Sequence, residues 1–275
     1  MADANHPLNR IADALQRLAP AQSVPTDWLA APGYLWTGSQ GRPLARIEAP
    51  RLDLLKGIER QKQQVREAIG RLAAGHAAHD MLLWGSRGMG KSALLRAAVV
   101  EAQTAAPGRL ALVQAGTDSL DTLPRLFAEL GAVERNFLVY IDDLGFAESD
   151  TDGPRHLRSW LEGGIEARPG NVRLAVTANR RAIVARQMSE QDDPINPRDV
   201  VDDRLALADR FGLALGFHAC SQDEYLAIVR GYAEEYALAF DEADALEWAR
   251  RRGARSGRVA WHYAVELAGR AGKRI

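Results

Sequence analysis

The feature that most constrains this chain is a glycine-rich turn between an apolar run and a helical pattern. Residues Met81–Leu95 read MLLWGSRGMGKSALL, in which Met81–Trp84 are all apolar and the residues from Lys91 onward follow a helical pattern. Three glycines stand between the two parts. Glycine adopts positive φ freely, so backbone N–H groups can turn towards one point. The stretch therefore predicts a strand, a tight turn and a helix in direct succession.

The turn matches the P-loop pattern G-x-x-x-x-G-K-[ST]. Backbone N–H groups in such a loop, with the positive end of the next helix, attract phosphate oxygens. Lys91 is one of four lysines among 35 basic residues. Its compact ammonium suits β- and γ-phosphates better than a planar guanidinium does, and the Ser92 hydroxyl is expected to ligate Mg²⁺. The candidate phosphate-binding residues are Gly85, Ser86, Arg87, Gly88, Met89, Gly90, Lys91 and Ser92.

Two acidic residues follow another apolar run about fifty residues later. Phe137–Ile141 predicts a strand, and Asp142 and Asp143 come directly after it. Such a pair in isolation would more often cap a helix, but after a P-loop a metal site is the better interpretation. We expect Asp142 to hold Mg²⁺ through water and Asp143 to polarise the attacking water.

Short apolar runs alternate with helical patterns through the middle of the chain, which predicts an α/β fold with a parallel sheet. The predicted strands are Met81–Trp84, Leu110–Gln114, Phe137–Ile141, Val172–Thr177 and Phe211–Phe217. A long helix is predicted over Leu52–Leu72, and only helical patterns follow Ser221. The predicted domains are residues 1–45, an N-terminal helix and an irregular connector; 46–217, a five-stranded α/β nucleotide-binding core; and 218–275, a small all-helical lid.

Composition excludes several classes of protein. The residues are 47% hydrophobic and 26% charged, as in ordinary soluble proteins. A net charge of −1 argues against nucleic-acid binding driven by bulk charge. One cysteine, Cys220, excludes an internal disulfide and fits a reducing compartment. No apolar run reaches membrane-spanning length, so we expect a cytoplasmic protein without a membrane partner.

Further motifs resemble the AAA+ superfamily of P-loop ATPases over roughly residues 50–265. Leu54–Gln61 resembles the segment that flanks adenine in that superfamily, which makes Gly57 and Ile58 candidate nucleotide contacts. Ala175–Asn179 resembles sensor 1, which implies that Asn179 lies near the γ-phosphate and the attacking water. The resemblance implies ATP or ADP with Mg²⁺ as ligands, and hydrolysis of ATP.

Two arginine motifs complete the resemblance. Asp209–Gly212 resembles the arginine-finger motif, in which Arg210 would reach the γ-phosphate on an adjacent subunit; a salt bridge within the chain is the alternative. Arg255–Ala260 resembles sensor 2, in which Arg258 would touch the nucleotide. The finger implies a homo-oligomer in the ATP state.

Two features depart from the common AAA+ pattern. Asp143 stands where most members have glutamate, and its side chain is one methylene shorter, so we expect slow hydrolysis. Ala115–Leu120 has no aromatic residue where polypeptide-threading members carry a pore loop, which disfavours threading. Ile141–Gly145 also resembles replication initiators, helicase loaders and transposition helper ATPases.

A closer resemblance is to a bacterial family of predicted AAA+ ATPases without an assigned function. Its four motifs are present at Leu82–Ser92, Glu162–Val172, Thr177–Arg181 and Asp209–Phe217. The expected function is ATP-driven remodelling or assembly of a macromolecular partner, with an unknown protein as that partner. The alternative is a nucleotide-switched module that binds DNA or a replication or transposition complex. The basic C-terminal run, from Arg250 onward, would suit DNA, although a solvated face explains it better.

Overall fold

The computed structural model describes residues 25–145, 161, 168–179 and 210–275. The N-terminal helix predicted within residues 1–45, at residues 6–19, lies outside these ranges. Seven strands form one sheet: β1 Gly33–Trp36, β2 Gly41–Leu44, β3 Met81–Gly85, β4 Leu110–Ala115, β5 Asn136–Ile141, β6 Val172–Ala178 and β7 Leu213–Phe217. The α/β class and all five predicted strands are confirmed, with small shifts at the strand ends.

The strand order places the functional motifs together. The order is β2-β1-β4-β5-β6-β3-β7, and every neighbouring pair is parallel except β1 and β2. β3, which leads into the glycine turn, lies between β6 and β7. Parallel strands end at the same edge of a sheet. The turns after β3, β5 and β6 therefore share one edge.

Six described helices accompany the sheet. They are α1 Glu59–Ala73, α2 Lys91–Ala105, α3 Leu123–Gly131, α4 Gln222–Glu235, α5 Glu242–Arg251 and α6 Gly257–Arg270. The last three follow β7, as predicted, and pack on one another. Two 3₁₀ helices span Leu52–Leu54 and Thr117–Thr122.

The single helix predicted over Leu52–Leu72 is wrong in its first part. Gly57 has φ of +77°, which an α-helix cannot accommodate. The chain therefore makes a 3₁₀ turn before Gly57 and begins α1 at Glu59. The break matters for the site, because it brings the side chain of Ile58 beside the glycine turn.

The stretch predicted as an irregular connector contains strands β1 and β2, which extend the sheet next to β4. The rings of Trp28 and Tyr34 pack in a tilted arrangement, with centroids 4.8 Å apart, and bury this edge. The buried guanidinium of Arg135 donates to the carbonyl oxygens of Trp28 and Ala31, at 2.9 and 2.8 Å. Aromatic burial and this arginine hold a segment whose Pro and Gly content predicted a loop.

Apolar residues cover both faces of the sheet. α1, α2 and the helices after β7 pack on one face, and α3 with the β1 aromatics packs on the other. Within the described residues, no helix is both long enough and apolar enough to span a membrane.

Candidate nucleotide-binding site

The glycine turn has the backbone shape that its sequence predicts. Gly85, Gly88 and Gly90 have φ of +125°, +77° and +88°. A Cβ atom on Gly85 would lie 2.0 Å from the carbonyl oxygen of Phe217, so no other residue fits there. That same oxygen accepts the backbone N–H of Ser86 at 2.7 Å, which ties the turn to the end of β7.

The two non-glycine residues at the tip of the turn differ in burial. Met89 is buried and packs into the hydrophobic core, so only its backbone is available to a ligand. Arg87 is exposed at the mouth of the turn. The Met89 side chain therefore anchors the turn in the core, and the Arg87 guanidinium remains exposed beside it.

Lys91 is a buried cation whose hydrogen-bond acceptors are neutral. Its side chain donates from Nζ to the carbonyl oxygens of Gly85 and Ser86, at 2.7 and 2.9 Å, and the residue is 7% exposed. Burial lowers the pKa of the Lys91 ammonium, with Arg258 and Arg87 acting in the same direction and the two following acids opposing it. Because charged partners usually accompany a buried charge, this constellation suits a bound anion.

The hydroxyl predicted as a metal ligand lies beside the predicted metal carboxylate. Ser92 Oγ donates to Oδ1 of Asp142 at 2.7 Å, and Thr177 Oγ1 donates to the same oxygen at 2.6 Å. Burial raises the pKa of the Asp142 carboxyl, but the nearby hydroxyls of Thr177, Tyr140 and Ser92 together outweigh burial, so the pKa lies below its usual value. An ionised carboxylate next to a hydroxyl is a donor set that Mg²⁺ accepts.

Asp143 and Asn179 meet although they come from different strands. Nδ2 of Asn179 donates to Oδ1 of Asp143, and the backbone N–H of Asp143 donates to Oγ1 of Thr177 at 2.8 Å. Asp143 has φ of +52°, in the left-handed region. The two residues predicted to handle the attacking water are therefore in direct contact.

Sequence reasoning overlooked two polar residues on the strands behind the acids. Thr177 is 1% exposed near the end of β6, and Tyr140 is 1% exposed near the end of β5. The Tyr140 hydroxyl has no hydrogen-bond partner of good geometry within the described part of the chain. Its pKa is raised by burial and then by the Asp142 carboxylate nearby. In a sequence, Thr177 and Tyr140 look like ordinary core residues of a strand. Their hydroxyl groups are the only feature that could have indicated a role in the site.

The helices after β7 reach the glycine turn through the start of α6. Ser256 caps α6, accepting the N–H of Val259 at 3.3 Å, and the N–H of Arg258 donates to the carbonyl oxygen of Gly88 at 3.0 Å. The backbone of Arg258 therefore lies at the turn, and contact of its side chain with a nucleotide stays a prediction. The segment before α1 closes the other side: a Cβ atom on Gly90 would lie 3.7 Å from Ile58 Cδ1. Gly57 instead faces Glu224 of α4.

Gly88→Ala is expected to weaken nucleotide binding by about tenfold or more. The new Cβ would lie 2.9 Å from Ser256 Oγ and 3.1 Å from Arg258 Cβ, so the start of α6 must move away from the turn. Gly108→Ala is the matched control, because Gly108 has φ of +78° but no atom within 4 Å of the new Cβ. Both variants carry the strain of alanine at positive φ. Equal loss of affinity in the two, by titration with fluorescent ADP, would contradict a steric role for Gly88.

Arg210 is not brought to this site within one chain. It precedes β7, and β7 runs parallel to β3 with Leu213 opposite Met81 and Phe217 opposite Gly85. The four residue steps of β7 alone span about 13 Å. Arg210 thus lies at the edge of the sheet opposite the glycine turn of its own chain.

The sheet order, with the glycine turn at the carboxyl edge of the sheet, gives the fold of the solved structures described below. The predicted fold is therefore confirmed. A family model described as protein of unknown function (DUF815) matches residues 30–271, and the chain belongs to that family.

Solved structures support the fold assignment. The RuvB Holliday junction branch migration motor from Thermotoga maritima matches with a TM-score of 0.51 and 18% identity over 81% of this chain and 66% of that chain. Orc1 from Aeropyrum pernix, in complex with DNA, matches with a TM-score of 0.52 and 16% identity over 80% and 65%. This chain thus spans just under two thirds of the length of those proteins. No curated protein sequence matches it.

Proposed function

We propose that this protein binds ATP with Mg²⁺ and hydrolyses it to ADP and phosphate. The observation that supports this most strongly is the connected arrangement at the carboxyl edge of the sheet. A buried lysine without a charged acceptor lies in a positive-φ glycine turn, and the next residue, Ser92, is hydrogen-bonded to Asp142. Phosphate oxygens would give the Lys91 ammonium the negative partner that it lacks. Mg²⁺ would bind the oxygens of Ser92 and Asp142.

Each described residue of the site has a role in this proposal. Lys91 and the backbone N–H groups of the turn bind the β- and γ-phosphates, and Arg258 binds them from the side of α6. Ser92 and Asp142 would hold Mg²⁺, which would supply a Lewis acid for the phosphates. Asp143 accepts a proton from the attacking water, and Asn179 holds the Asp143 carboxylate in place. Ile58, with Gly57 at the bend before it, lies where the adenine ring would enter.

The proposal extends to a homo-oligomer in the ATP state. Arg210 cannot reach the phosphates of its own chain, because it lies at the opposite edge of the sheet. In the proposed oligomer, Arg210 stabilises the transition-state charge on an adjacent subunit. Such an assembly would couple hydrolysis to remodelling or assembly of a macromolecular partner.

A protein partner is favoured over DNA by the charge pairing of the basic helices. Arg250 and Arg251 both pair with Glu247, and Arg270 pairs with Glu266 and with Asp244. These three acids offset three of the eight lysine and arginine side chains from Arg250 onward, which weakens the attraction of this run to phosphates.

Phosphate release and light-scattering mass test the proposal together. With Mg²⁺ and ATP, the protein is expected to release phosphate, and EDTA is expected to stop the release. A non-hydrolysable ATP analogue should raise the mass above the monomer, and ADP should not. Assembly only when duplex DNA is added would favour the nucleotide-switched DNA-binding module. A monomer without phosphate release under every condition would overturn the proposal.

A further inference from the structure

Thr177 is the only described side chain that bonds to both acidic residues of the site. Its Oγ1 donates to Asp142 Oδ1 at 2.6 Å and accepts the backbone N–H of Asp143 at 2.8 Å. The direction of both bonds is fixed, because a backbone N–H can only donate and an ionised carboxylate can only accept. The hydroxyl therefore gives its single proton to Asp142.

The backbone of Thr177 holds the same segment a second time. Its carbonyl oxygen accepts the N–H of Leu144 at 2.8 Å. Two consecutive N–H groups after β5 are therefore bound by one residue of β6, beyond the last paired residues of the two strands, Ile141 and Val176. Because Thr177 is 1% exposed, water does not compete readily for these bonds.

The segment held in this way has an unusual conformation. Asp143 has φ of +52°, and it is one of only two non-glycine residues with positive φ in the described ranges. Aspartate and asparagine enter the left-handed region more readily than other residues, because their short polar side chains bond locally. The Asp143 carboxylate does so by accepting Nδ2 of Asn179. A longer acid would lose both advantages.

We infer that Thr177 is a positioning residue that keeps the metal carboxylate of Asp142 and the base carboxylate of Asp143 in register, and that the left-handed backbone it holds selects aspartate over glutamate at position 143. The inference rests on the proposed function, since it assigns these carboxylates to metal and water. The inference also gives a reason for aspartate at position 143, where most AAA+ proteins have glutamate. The left-handed backbone favours the shorter acid, so replacing it with glutamate does not give a faster enzyme.

Thr177→Val and Thr177→Ser form the first test. Valine keeps the branched shape but removes the hydroxyl, whereas serine keeps the hydroxyl. Thr177→Val is expected to lower the single-turnover rate of ATP hydrolysis about 10- to 100-fold, as for loss of a hydrogen bond to a charged group. It should also raise the Mg²⁺ concentration required for half-maximal rate. Thr177→Ser should stay within about threefold of the wild type in both.

A merely structural role for Thr177 would give a different pattern. Affinity for ADP in EDTA reports the glycine turn without the metal carboxylate, so both variants should match the wild type in that measurement. Equal loss of rate and ADP affinity in Thr177→Val, or an unchanged Mg²⁺ requirement, would overturn the positioning role. So would a Thr177→Ser variant as slow as Thr177→Val.

Asp143→Glu is the second test, and residue 143 is exposed, so core packing does not exclude the longer side chain. If the backbone selects aspartate, Asp143→Glu melts at a lower temperature than the wild type and hydrolyses ATP more slowly. A faster Asp143→Glu enzyme with an unchanged melting temperature would show that only side-chain length matters, and would overturn the inference. Failure of the proposed function is a separate result: the wild type itself would then release no phosphate with Mg²⁺.

Discussion

Lys91→Met is expected to weaken ATP binding by at least about 100-fold and to abolish phosphate release. The substitution removes the one buried cation of the glycine turn while keeping an unbranched side chain of similar length. The exposed Arg87 and Arg258 remain, but surface charges are screened by solvent and replace a desolvated ammonium poorly. Titration with a fluorescent ATP analogue measures the loss of affinity.

The fold should survive this change. Burial lowers the pKa of Lys91, so its charge is less favourable in the folded chain than in the unfolded chain. Removing the ammonium should therefore leave the melting temperature unchanged or raise it. A large fall in melting temperature would mean that Lys91 is a structural residue and would remove the phosphate role.

Lys273→Met is the matched control for Lys91→Met. Lys273 also donates to two backbone carbonyl oxygens, those of Tyr236 and Ala237, but it is exposed after α6. The same chemical change at that position should leave ATP affinity within about twofold of the wild type. If both variants lost affinity equally, the effect would come from charge in general rather than from the turn.

Arg210→Ala is expected to lower turnover about 10³-fold, the range found for arginine fingers, while ATP affinity stays within about threefold. Turnover falls without a loss of affinity because Arg210 lies at the edge of the sheet opposite the glycine turn of its own chain. Phosphate release measures turnover, and the fluorescent analogue measures affinity. Undiminished turnover would remove the finger role.

Mixing two inactive variants tests whether Arg210 acts on a neighbouring subunit. Asp143→Asn keeps Arg210 but loses the base, and Arg210→Ala keeps the base but loses the finger. A mixed oligomer contains interfaces with an intact Asp143 on one side and an intact Arg210 on the other, so the mixture should release phosphate faster than either variant alone. Additive residual rates at protein concentrations where oligomers form would place Arg210 within its own chain.

The core of the fold could be predicted because its signals are local. Each of the five predicted strands is a mostly apolar run, close to the form expected of a strand buried on both faces. The P-loop pattern predicts the strand before it and the helix after it. The two acids after β5 predict that the carboxyl end of this strand lies at the same edge of the sheet. Arg258 and Asn179 could be placed only through the resemblance to AAA+ proteins.

The features that sequence reasoning missed depend on contacts distant in the sequence. β1 is four residues long, and β2 contains Pro43, so their local preference predicts a loop. They form strands because Trp28 and Tyr34 bury there and Arg135 binds the carbonyl oxygens beside them. Thr177 is similar: a β-branched residue in a strand predicts packing, and only the neighbouring acids reveal its hydroxyl as a positioning group.

The hairpin of β1 and β2 also restrains the turn that follows β4. Trp36 Nε1 donates to Thr122 Oγ1 at 2.7 Å, and Arg125 donates to the carbonyl oxygen of Ser39 at 2.8 Å. A movement of that turn together with the start of α3 would break both bonds, at about 1 kcal/mol each. The hairpin and the turn therefore form a restrained unit at one end of the strand order. The helices that follow β7, the strand at the other end, meet the glycine turn through the hydrogen bond from the Arg258 N–H to the Gly88 carbonyl oxygen, and this is the contact that a bound phosphate can disturb.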